Sequence, residues 1–322
     1  MPNSRTDAFS LLDAVLADRP LTDPWAHGRG ERPVYVPDYE LFSELLRVPV
    51  SAGDSSESGR FAKAIDAWLA SELRRAGFGS DEVWPRATRP RVLPRDIAVL
   101  LEKLPRKLAD ELRQRISGIS AVGPSDARIL GRAYDKQVDV CISRWDCGPE
   151  LMISTKAQVS SFGKNLPNRF EEAYGDAGNL RGRYPLAAVG FFFVQRDTIL
   201  TSEPESFERT VDMMRKLRDL GLGASNGYTA TGLALVGWDN EDAAGTLTVD
   251  VSHVPDDVGA ETIHGGDGAA SPHGHAGRSS CRRPREDRTA NHPRPGGGHR
   301  RRLSPLARSE DSNDAGRHGT SR

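Results

Sequence analysis

Cysteine is scarce in this chain, occurring 3 times in 322 residues as Cys141, Cys147 and Cys281, at spacings that match no metal-ligand pattern. A reducing compartment is expected, with stability left to an apolar core. Charge of one sign is missing too, since 44 Lys and Arg residues face 45 Asp and Glu for a formal net charge of -1. That balance advertises no nucleic acid, yet positive charge can still concentrate in one cleft. Long apolar runs are absent: the longest, Leu186 to Val194, is broken by Gly190 and falls short of a bilayer span. No positively charged start leads into an apolar run at the N-terminus. The expectation is a soluble, cytoplasmic protein with no membrane partner.

What is present falls into three stretches. Residues 1–120 read as mainly helical, with apolar periodicity over Phe61, Ala64, Ile65, Trp68, Leu69 and Leu73, and again over Ile97, Leu100, Leu101, Leu104, Leu108 and Leu112, where Pro105 breaks or restarts the helix. This stretch is either a DNA-recognition or dimerisation subdomain or a helical layer covering a sheet. Residues 121–259 alternate strands and helices, which predicts an α/β fold with a central sheet flanked by helices. Ala187 to Gln195 is apolar on both alternating faces and suits a strand buried on both sides. Residues 260–322 change grammar: from 261 onward there are 12 arginines, six of the eight histidines, no lysine and no aromatic residue. Such a segment cannot build a core and is expected to be a disordered Arg/His/Gly/Pro-rich tail, or a reading-frame artefact replacing a genuine end.

The chemistry concentrates between Val138 and Glu172. A strand over Gln137 to Ile142 is predicted to put Val138, Val140 and Ile142 on one face and Asp139 on the other, while a second strand, Glu150 to Lys156, puts Ser154 and Lys156 on a shared face. A short link through Cys147-Gly148-Pro149 would set the two side by side. A helix from about Lys164 to Ala177 follows, with an apolar stripe of Leu166, Phe170, Ala173 and Ala177 and a polar ridge of Asn165, Arg169, Glu172 and Asp176. Glu172 is placed to turn back toward Asp139, with Glu171 and Glu150 as rival carboxylates. Carboxylates of this kind suit a hard divalent cation, whose remaining shell is filled by water and substrate phosphate. Lys156 would orient an attacking water or offset charge developing on a phosphorus centre.

On these residues the chain resembles the PD-(D/E)xK nuclease superfamily, and within it the type II restriction endonucleases. The matching positions are Asp139 for the first acid and Lys156 for the lysine. Ser154 stands where the second acid is usual, and Val138 where the proline is. The arrangement is similar to a restriction-enzyme variant in which serine replaces that acid and the following helix supplies the carboxylate, here Glu172. The resemblance implies a restriction-endonuclease-like mixed sheet, Mg²⁺ held by Asp139 and Glu172, assistance from Lys156 and Ser154, double-stranded DNA as substrate and a homodimer. A structure-specific or repair nuclease, or a DNA-binding protein that has lost activity, remain the alternatives.

Candidate DNA contacts follow from charge. Arg169, Lys164 and Asn165 lie on the predicted helix, and Arg181 and Arg183 lie just beyond it. Arg86, Arg89 and Arg91, interleaved with prolines, form a stiff basic loop that would either track a phosphate backbone or serve as a solvated linker.

Overall fold

Strict alternation of apolar side chains along adjacent strands decides the architecture, because each strand sends one set of residues to each face of the sheet. The computed structural model describes residues 8–17, 19–26, 33–53, 59–119, 122–124, 126–144, 146–218, 227–240 and 242–260. Cys281 and the tail arginines and histidines lie outside the described residues.

The N-terminal part contributes α1 (Asp13–Ala17), a small ladder of β1 (Trp25–Ala26) and β2 (Val34–Tyr35), then α2 (Tyr39–Ser51), α3 (Arg60–Arg75), β3 (Val83–Trp84), α4 (Arg95–Lys103) and α5 (Arg106–Ser117). After it come β4 (Ala127–Leu130), β5 (Asp135–Val138), β6 (Val140–Arg144), β7 (Gly148–Gln158), α6 (Phe162–Arg181) and β8 (Ala188–Arg196). The last elements are α7 (Ile199–Ser202), α8 (Pro204–Leu217), β9 (Ala230–Gly237), α9 (Ala243–Thr246) and β10 (Thr248–Asp250). Six strands form one sheet in the order β10-β9-β8-β7-β6-β3. The pairs β7/β8 and β8/β9 are parallel and the others antiparallel, so the sheet is mixed. The expected α/β class with a central mixed sheet between helices is what the chain adopts.

Val140, Ile142, Leu151, Ile153, Phe192 and Val194 pack on one face with Phe42, Leu45, Ile65 and Trp68 from α2 and α3. Cys141, Met152, Phe191, Phe193 and Leu233 pack on the other with Leu166, Phe170 and Ala173 of α6 and Met214 of α8. Phe191, Phe192 and Phe193 are all fully buried, so β8 is covered on both faces as its composition predicts. For α2 and α3 the packing is that of a helical layer on the sheet, and β3 is the sheet's own edge strand. All described residues belong to one compact unit. Pro105 separates α4 from α5, and these two helices bury only a small cluster around Leu93, Ala98 and Leu101.

Two local features depart from the sequence expectation. The strand read as Gln137 to Ile142 is two strands: β5 pairs with β4, β6 pairs with β7 and β3, and the chain bends at Asp139. Val138 consequently packs on the α6 side while Val140 packs on the α3 side, rather than both on one face. Helix α6 is also longer than expected, starting at Phe162 despite Pro167. Its first turn is secured from outside, because the Glu203 carboxylate accepts the Phe162 and Gly163 N–H groups at 3.2 and 2.6 Å. A carboxylate there also complements the positive helix end.

Trp68 ties the α2/α3 layer to the sheet: it stacks on Phe42 at 4.2 Å between centroids, approaches Phe192 at 5.5 Å, and donates Nε1–H to the Asp38 carbonyl at 2.9 Å. Trp68→Ala should cost about 3–5 kcal/mol of folding stability. Denaturant unfolding checks this, and a loss below about 1 kcal/mol would mean that Trp68 is not a principal anchor of the layer.

Candidate active site

The site is organised by the backbone at Thr155, two thirds of the way along β7. Because β6 begins only after the bend, Thr155 N–H has no strand partner opposite it, and the Asp139 carboxylate accepts that hydrogen at 2.8 Å. The Thr155 hydroxyl points to the other helical layer and donates to Asp66 Oδ1 at 2.7 Å. Asp66 lies in the middle of α3 and is fully buried, a position where a carboxylate is costly unless it is paired. Its second oxygen meets Lys63 Nζ at 3.1 Å, and the same ammonium lies 3.6 Å from Asp126. Nothing in the helical periodicity of residues 61–73 marks Asp66 as more than a polar interruption. The signal available was its occurrence on the apolar side of the helix, between Ile65 and Ala67.

Electrostatics make this an anionic pocket. Burial, and after it the nearby Asp66 charge, push the Asp139 carboxyl up to about 7, against the opposing pull of Thr155 N–H, Lys63 and Lys156. Burial raises the Asp66 carboxyl as well, while Lys63 resists that rise. The Lys63 ammonium is held in its charged form because Asp66, Asp139 and Asp126 outweigh its own desolvation. Three carboxylates thus share one lysine.

On the α6 side a second group of charges forms. Lys156 Nζ contacts Glu172 Oε1 at 2.7 Å, and Lys136 Nζ approaches the same oxygen at 3.4 Å while contacting Asp176 Oδ2 at 2.6 Å. Partial burial works against the Glu172 charge, but the two lysines prevail and hold its carboxyl below the usual range. The expected ridge therefore splits. Asp176 is only 2 % exposed and is a buried partner of Lys136 and of the Tyr134 hydroxyl, whereas Asn165, Asn168, Arg169 and Glu172 line an open cleft of about 280 Å³. Ser154 is buried on the face of Lys156, and its hydroxyl has no hydrogen-bond partner among the described residues.

The structure joins Lys156 to Glu172 directly and sets Asp139 on the neighbouring backbone, but the carboxylate that faces Asp139 is Asp66. Glu171 is exposed, and Glu150 sits at the far end of β7 near Arg144, at 3.9 Å. Among the described residues no three His, Cys, Asp or Glu side chains form a ready-made metal cage. The donors at hand for a hard cation are the oxygens of Asp139 and Asp66. This chemistry fits Mg²⁺, which commonly takes one or two carboxylates and retains water.

The basic candidates separate as well. Arg91 is buried and engaged by Asp13 at 2.7 Å, and Arg86 contacts Asp81 at 2.5 Å and the Pro90 carbonyl at 2.9 Å. Those two arginines build their loop from within and are not presented to a phosphate backbone, whereas Arg89 is exposed. Arg181 is tied to the Gly227 carbonyl at 2.9 Å, while Arg183 and Lys164 are exposed.

A carboxyl whose folded pKa lies above its ordinary value of 3.8 stabilises the fold at acid pH, and that contribution is lost as pH rises toward about 7. Asp139→Asn keeps an acceptor for Thr155 N–H but removes the charge. It should raise Tm at pH 8 by roughly 2–4 °C for each kcal/mol of repulsion relieved, with little change at pH 4. Thermal unfolding across this pH range checks it, and a lower Tm at pH 8 would contradict the repulsion.

No helix among the described residues is long and apolar enough to cross a membrane. No protein family matches this chain, and no curated protein or solved structure matches it either.

Proposed function

We propose that the chain is a Mg²⁺-dependent DNA endonuclease, of the type II restriction kind that its Asp139 and Lys156 resemble. The observation that carries this reading is the hydrogen bond from Thr155 N–H to Asp139, which fixes a buried, charge-strained carboxylate one residue from Lys156. Asp139 and Asp66 are the oxygen ligands for the cation. When bound, the metal would polarise the scissile phosphate and make a neighbouring water a better nucleophile. Glu172 holds Lys156 by their 2.7 Å contact, so its role shifts from metal ligand to positioning the lysine. The Lys156 ammonium then orients water or neutralises charge that develops on the phosphate oxygens. Ser154 supports the strand beneath that lysine. Cutting both strands of a symmetric target calls for two copies of the chain related by a two-fold axis.

A second reading, a DNA-binding protein without hydrolysis, draws on Lys63, which already supplies part of the positive charge a metal would bring. Cleavage assays on duplex DNA separate the two. Cuts at a recurring sequence are expected with Mg²⁺ and none with chelator. Lys156→Ala should slow cutting by about 10²–10³-fold while leaving DNA binding in place. Asp139→Ala should abolish cutting. DNA binding with no cleavage in Mg²⁺ or Mn²⁺ would support the second reading, whereas scattered cuts would favour a structure-specific or repair nuclease.

A further inference from the structure

We infer that the exposed face of α6 reads base edges of duplex DNA, with Asn165 and Asn168 as the reading side chains; this rests on the endonuclease reading and names how its substrate is chosen. Both residues are exposed, lie one turn apart on a single helix face, and line the same open cleft as Arg169 and Glu172. Neither amide is engaged in a hydrogen bond among the described residues. The third asparagine of the helix shows what a structural role looks like. Asn179 is 5 % exposed, accepts from the Ala133 and Tyr134 N–H groups at 2.8 and 3.2 Å, and donates to the Tyr134 carbonyl at 3.0 Å.

Asparagine is a poor helix former, because its side chain competes for backbone hydrogen bonds. Two of them stand on the exposed face of a 20-residue helix with no hydrogen-bond partner among the described residues. A carboxamide presents a coplanar donor and acceptor, the pattern that matches the N6 and N7 edge of adenine in the major groove. Arg169 beside them has a guanidinium suited to guanine or to a flanking phosphate, and the Glu172 carboxylate, 3.9 Å away, is already engaged by Lys156. The cleft therefore offers a row of planar hydrogen-bonding groups that ends at Glu172, the partner of the lysine proposed to act on phosphate. An anion alone would be served by the cations without the two amides.

The test is selection from a random duplex library by the full chain in EDTA, followed by affinity measurements on the enriched sequence, so that no cleavage is involved. Enrichment of a recurring sequence is expected. Asn168→Ala and Asn165→Ala should each lose discrimination at one or two base pairs by about 5- to 150-fold, with the remaining positions unchanged. Unaltered preference in both asparagine variants would overturn the inference. A uniform loss of affinity on all sequences, with a shallower salt dependence, would also overturn it by making the face a phosphate contact. Enrichment of no sequence by a chain that still cuts DNA would overturn base reading and leave the nuclease standing. A chain that neither binds duplex DNA nor cuts it would overturn both.

Discussion

Thr155 is the residue on which the site depends, because its two hydrogen-bonding groups hold two buried carboxylates from different parts of the fold. Its backbone N–H is satisfied by Asp139 only because β6 begins at Val140, two positions past the residue that would face Thr155, and its hydroxyl reaches Asp66 only because α3 packs on that face of the sheet. Moving either the bend or the helix would leave a buried charge without its donor, a penalty of several kcal/mol. The bend at Asp139, the seating of α3 through Trp68 and the placement of Lys156 at the next position of β7 are therefore one arrangement seen from three sides.

That arrangement is kept at a cost to stability. Burial first, and then repulsion from Asp66 that Lys63 offsets only in part, raise the Asp139 carboxyl to about 7. An apolar pair would be more stable there. The α6 side is arranged the other way: Glu172 lies between Lys156 and Lys136, and Asp176 secures Lys136, so every charge has an opposite partner. One side of β7 is short of positive charge and the other is balanced. On the proposed reading, a divalent cation would be drawn to the first and would gain little at the second.

Much of the fold was legible because it follows from periodicity. The apolar run ending in Phe191, Phe192, Phe193 and Val194 could hardly be anything other than a strand covered on both faces, and the stripe of Leu166, Phe170, Ala173 and Ala177 named the buried side of α6. The break at Asp139 was hidden, since Val138, Val140 and Ile142 keep perfect alternation across a bend that tertiary pairing alone imposes. Asp176 read as part of the polar ridge with Glu172 because its partner Lys136 comes from a hairpin 40 residues earlier in the chain. Asp66 was hidden for the same reason. Its partners Thr155 and Asp139 are distant in sequence, and a single acid within an amphipathic helix carries no mark of what it will face.

The location of the cation is tested most directly by calorimetric titration of Mg²⁺ and Mn²⁺ into the full chain between pH 6 and 8, in buffers that differ in ionisation enthalpy. Binding at one site with release of part of a proton near neutral pH is expected, because a cation displaces the proton that Asp139 retains up to about 7. That binding should be lost in Asp139→Asn, weakened in Asp66→Asn and unchanged in Glu172→Gln. Affinity that ignores Asp66 and Asp139, or that is lost only in Glu172→Gln, would contradict a metal site between β6 and α3.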